Sequence, residues 1–87
     1  MKDSNNRTHV LPASGVAIRS GLDLDIPATL YLTSVAGGRL IEVSADGQGW
    51  ATPTVVSTTA TTVTYGIDYP VRAWRVTGAQ GDTYGAL

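Results

Sequence analysis

IEVSADGQGWATP, residues 41–53, reads as a strand, a tight turn and a returning strand that opens on tryptophan. Ile41 and Val43 share one face of the first arm, and Leu40, Glu42 and Ser44 share the other. That is the period-two alternation of a half-buried strand. Asp46-Gly47-Gln48-Gly49 supplies residues that tolerate positive φ, the signal of a short hairpin. Asp46, Gly47 and Gly49 are therefore assigned as a structural turn. Trp50 starts the return arm, Pro53 interrupts it at a bulge, and TVVS, 54–57, continues it.

The same alternation recurs on both sides of this hairpin. VAIRS, 16–20, predicts a short strand, and ATLYLTS, 28–34, alternates Leu30 and Leu32 with Thr29, Tyr31 and Thr33. GLDLDIP, 21–27, alternates too, but Pro27 cannot donate to a ladder, so it is expected as an edge strand or extended loop. STTATTVTYG, 57–66, is a threonine-rich run that suits a pleated surface facing water. In VRAWRVT, 71–77, Trp74 and Val76 share a face opposite Ala73 and Arg75. TYGAL, after the GAQGD loop, ends the chain as a strand or tail. Six to seven short strands at spacings near ten residues predict an all-β chain, a small antiparallel β-sandwich or barrel. Residues 1–12 are expected as a flexible polar arm and 13–87 as one domain. Ile41, Val43, Trp74 and Val76 are the expected core.

Composition supports that class. Twelve Thr, ten Gly, one Lys, one Glu and no Phe leave few helix formers among 87 residues. Cysteine is absent, which excludes disulfides and thiolate metal sites, and one histidine cannot build a His-rich site. So short a chain has a thin core, and oligomerisation or docking on a larger body is the remaining support. A net charge of −1 provides no field for nucleic acid or anionic membrane. The polar start, MKDSNNRTH, is no secretory signal, and no apolar run is long enough to span a bilayer.

No residue set names a reaction. Asp46, Asp68 and Asp82 sit at turn positions, where Asp bonds its own backbone. Asp23 and Asp25 are read as solvated edge charges, since a calcium loop needs further ligands at fixed places. His9 with Ser14 or Ser44 lacks a nucleophile elbow. The glycine-rich pieces lack the lysine and hydroxyl of a phosphate loop. The expectation is a non-enzymatic chain with no cofactor and no metal. Exposed tryptophan could stack on sugars or bases, whereas buried tryptophan would fill a core that has no phenylalanine.

The segment 41–50, followed by YPVRAWRVTG at 69–78, resembles the small β-sandwich modules in virion proteins of tailed bacteriophages. The residues that carry the likeness are Ser44, Asp46, Gly47, Trp50, Trp74, Arg75, Val76 and Thr77. The resemblance spans about half the chain and brings no catalytic residue. It implies a virion structural protein, made in the host cytoplasm, that decorates or stabilises a capsid or serves as a tail accessory. Expected partners are major capsid or other virion proteins and further copies of the chain, with no nucleic acid or membrane. The alternative is a receptor- or carbohydrate-binding module of a phage tail. His9, Leu11, Trp50 and Tyr69 are the expected partner contacts.

Overall fold

A computed structural model describes residues 8–22, 24–34 and 38–86. Among the described residues eight strands, rather than the expected six to seven, run in chain order: β1 (Thr8–Val10), β2 (Val16–Ser20), β3 (Ala28–Thr33), β4 (Leu40–Ser44), β5 (Thr54–Thr58), β6 (Thr62–Ile67), β7 (Ala73–Thr77) and β8 (Thr83–Ala86). All pairings are antiparallel. They build a five-stranded sheet of order β1-β8-β3-β6-β5 and a three-stranded sheet of order β2-β7-β4. The protein is an all-β sandwich, as the alternation predicts.

The alternating residues form the core between the sheets. Leu30 and Leu32 of β3, Ile67 of β6, Ile41 of β4 and Val76 of β7 are fully buried. Each such side chain contributes about 1.5–3 kcal/mol of transfer free energy. Val43, Trp74 and Tyr84 are buried beside them. The Trp74 ring meets Tyr84 edge-on across the two sheets, with centroids 5.8 Å apart, and Tyr84 in turn lies 5.3 Å from the His9 ring. Aromatic contact thus runs from the short sheet to the edge of the long one.

Four expectations need correction. Residues 8–10 do not belong to an arm: they pair with β8, placing His9 opposite Tyr84. Residues 1–7 lie outside the described residues. Leu11, expected at a partner surface, is only 2 % exposed because its backbone is held by Asp82 and Gly81, which turns its side chain into the core. The return arm after Trp50 is reduced to one bridge, Val43 with Ala51, made by two backbone hydrogen bonds. Pro53 is buried, and the chain then leaves β4 for the other sheet, where β5 pairs with β6 around a register shift between Val55 and Ser57. Finally, GLDLDIP, expected as an edge strand or extended loop, is bent, and none of its described residues is in a strand. A Leu24-to-Gly21 hydrogen bond bends it, so Leu24 is buried while Leu22 is 70 % exposed. Asp23 lies outside the described residues.

Arg39 ties the turns at one end of the sandwich. Its guanidinium donates to the carbonyl oxygens of Ser34 (2.6 Å), Ala60 (3.0 Å) and Thr59 (3.0 Å). The turn between β5 and β6 is otherwise shaped by Thr59, whose hydroxyl accepts from the amides of Thr61 and Thr62.

Candidate functional site

The two sheets present outer faces of different chemistry. On the three-stranded sheet, the register aligns Val16, Thr77 and Leu40 in one row and Ile18, Arg75 and Glu42 in the next. Arg75 holds Glu42 through Nε at 3.1 Å and Nη2 at 2.7 Å, both to one carboxylate oxygen. The same guanidinium stacks over the Trp50 ring, 4.4 Å from its centroid. Beside this cluster Ile18 is 61 % exposed.

The turn carries Trp50 to that position. The Asp46 carboxylate accepts from the amides of Gln48 (2.8 Å) and Gly49 (2.9 Å) and from the Ser44 hydroxyl (3.1 Å), while the Gly47 amide donates to Ser44. The Gly49 and Gln48 amides, with Ser44 after them, lower the Asp46 pKa to about 2. Gly47 has a φ of +85°, the left-handed region that favours glycine, whereas Gly49 has no positive φ. Trp50 then lies outside the buried core, half-covered by Arg75.

The outer face of the five-stranded sheet is a field of hydroxyls. One row reads Val10, Thr83, Thr33, Thr62; the next reads Thr8, Gly85, Tyr31, Thr64, Ser57; a third reads Thr29, Gly66, Thr54. None of the five strands carries a Lys, Arg, Asp or Glu. The Tyr31 hydroxyl meets the Thr8 hydroxyl at 2.6 Å, two strands away.

Open depressions lie at both ends of this face. One, of about 410 Å³, is lined by Pro27, Thr29, Thr54, Gly66 and Asp68 with the backbone between them. The other, of about 350 Å³, is lined by Thr33, Ser34, Thr61, Gly81, Asp82 and Thr83. Hydrogen bonds from the Ser34 hydroxyl and then the Ala79 amide hold the Asp82 carboxyl below its ordinary pKa.

The four expected contact residues do not form one surface. Leu11 is inside, His9 is half-buried in the long sheet, Trp50 lies on the short sheet's outer face, and Tyr69 is exposed in the segment joining β6 to β7. The sequence reading missed Tyr31 and Arg39. The signal for Tyr31 was its place among Thr29 and Thr33 on the polar side of a strand. Arg39 had no local signal, because two of its acceptors are about twenty residues away. Among the described residues no group of three or more His, Cys, Asp or Glu could hold a metal ion. Comparison of the chain with family models, with curated proteins and with solved structures finds no match.

Proposed function

We propose that this chain is a structural protein of a tailed-bacteriophage virion that works by contact, decorating or stabilising the capsid. The observation that carries the reading is the outer face of the three-stranded sheet. Exposed Ile18 and Val16 border the Trp50–Arg75–Glu42 cluster there. Trp and Arg beside exposed aliphatic side chains are the composition of interface hot spots. The resemblance of residues 41–50 and 69–78 to virion modules supplies the kind of partner. Further copies of the chain around a repeating shell would give a thin-cored domain additional stability by mass action.

The test is attachment. The wild-type protein should co-sediment with capsids of the phage that encodes it. Ile18→Glu, on an exposed position, should leave the fold intact and abolish sedimentation with particles. Trp50→Ala should weaken attachment by ~2 kcal/mol or more if the ring is a hot spot. Attachment unchanged in both variants would refute this face as the contact. A second reading, a carbohydrate-binding module of a phage tail, is favoured by a separate observation on the opposite face.

A further inference from the structure

We infer that the outer face of the five-stranded sheet is a binding platform for a neutral oligosaccharide, with Tyr31 as its stacking surface. This site gives the carbohydrate-binding reading its residues and ligand class, and it does not depend on capsid attachment through the opposite sheet.

The orientation of Tyr31 follows from register. Thr8 pairs with Gly85, and Gly85 pairs with Tyr31. Strands are ~4.8 Å apart, so Tyr31 and Thr8 stand on strands about 10 Å apart. A tyrosine hydroxyl reaches 2.6 Å from the Thr8 hydroxyl only if its ring lies down along the sheet across Gly85. Gly85 has no side chain to obstruct it, and Gly85 is buried although it belongs to the outer face. The phenol therefore turns one ring face to the sheet and the other to solvent. The tether also fixes its rotamer before any ligand arrives, which lowers the ordering cost of binding.

The surroundings select the ligand. Thr83 on β8 and Thr29 and Thr33 on β3 flank the ring, and Thr62 and Thr64 extend the hydroxyl surface across β6, on the side away from Gly85. A hydroxyl donates one hydrogen bond and accepts others, as sugar hydroxyls do; Thr64 already donates to the Ser57 carbonyl and meets a ligand as an acceptor, and Thr33 and Thr62 are bonded to each other. A polyanion needs cations, and these strands have none. A protein partner would look for a desolvated apolar centre, but the exposed aliphatic residues here, Val10, Val55 and Val56, belong to the two edge strands. The C–H faces of a pyranose suit the open ring, and its hydroxyls suit the threonines. From Thr33 to Thr29 is four residues of strand, ~13 Å, with a depression at each end. A short oligosaccharide crossing Tyr31 along the strand would place its outer sugars there, beside the carboxylates of Asp68 and Asp82.

The experiment is titration of the isotopically labelled full chain with maltohexaose, cellohexaose and chitohexaose, and with an oligogalacturonate as the acidic control. At least one neutral hexasaccharide should shift the amides of Thr29, Tyr31, Thr33, Thr64 and Gly85, and the acidic one should not. Tyr31→Ala should weaken binding roughly five- to tenfold, the scale of one lost aromatic contact, and Tyr31→Phe should retain most of it. Thr64→Lys, on the outer face, should block binding while circular dichroism shows the sheet still folded, the lost bond to the Ser57 carbonyl lowering the melting temperature only modestly. No shift with any neutral probe, undiminished binding by Tyr31→Ala and Thr64→Lys, or shifts centred on Ile18, Trp50 and Arg75 would overturn the inference. Capsid attachment, read separately through Ile18→Glu, is unaffected by either result.

Discussion

Arg39→Ala should be among the most damaging substitutions outside the core. The side chain donates to three backbone carbonyls and bridges the end of β3 to the β5–β6 turn. Ser34 is almost fully buried, so its carbonyl cannot easily recruit water once the guanidinium is removed. Hydrogen bonds to a charged donor contribute about 1.5–3 kcal/mol where solvent is scarce. The carbonyls of Thr59 and Ala60 are at an exposed turn, where water replaces the lost donor, and add only a few tenths of a kcal/mol. The expected loss is therefore ~2–3 kcal/mol. For a domain of this size each kcal/mol moves the melting temperature by about 4–8 °C, so the shift is on the order of 10–20 °C. Circular dichroism melts and urea unfolding on the two proteins measure it. Arg39→Lys should recover only part, since an ammonium cannot span three acceptors in the plane of a guanidinium fork. A loss below ~0.5 kcal/mol, the usual size of a surface substitution, would refute the idea that Arg39 holds the two turns together.

Gly47→Val should cost about 1–3 kcal/mol through its positive φ, and Gly49→Val should be close to neutral because its backbone is ordinary and only the Asp46 carboxylate lies near; equal losses in urea unfolding would contradict this. Asp46 should titrate near pH 2 by carbon-detected NMR. Its folded pKa is depressed, so its stabilising effect is present above about pH 4 and disappears as pH falls from 4 towards 2. Asp46→Asn should make the acid limb of the melting curve shallower in that window, leaving the part that belongs to the likewise depressed Asp82, and an unchanged limb would show that the turn is indifferent to the charge.

The strands that carry the core were legible because one side of each is buried. Leu30 with Leu32, Ile41 with Val43, and Trp74 with Val76 alternate with more polar neighbours, and a one-residue slip would turn each pair to the solvent face. The return arm was misjudged for an identifiable reason. Asp46 and Gly47 announce a turn, but a turn does not set the length of the ladder that follows it. The buried Pro53 directs the chain to the other sheet after a single bridge. The β5–β6 turn escaped notice because Thr59-Ala60-Thr61 contains no Gly, Pro, Asn or Asp. A threonine hydroxyl and a distant arginine supply the hydrogen bonds that such residues usually provide. β1 was hidden because three residues have no period, and it exists by its pairing with β8. The candidate sites were less legible still. Which threonines share a face follows from strand order, and strand order is a property of the whole chain.

That strand order constrains how the molecule can be made. β8 lies between β1 and β3 in the long sheet, although β1 is the first and β8 the last of the described strands. During synthesis β3, β6 and β5 can pair as soon as they emerge, and so can β2, β4 and β7. Thr8, His9 and Val10 must wait for Thr83 to Gly85 to leave the ribosome, because their ladder partner does not yet exist. Until then Leu11 has no Asp82 carbonyl to hold it, and the β3 edge that β8 will occupy is open to any other strand. The nascent protein therefore passes through a stage with an unclosed sheet, in which a neighbouring chain can compete for the place of β8. A chain truncated before residue 83 would remain at that stage, prone to pairing with its own kind.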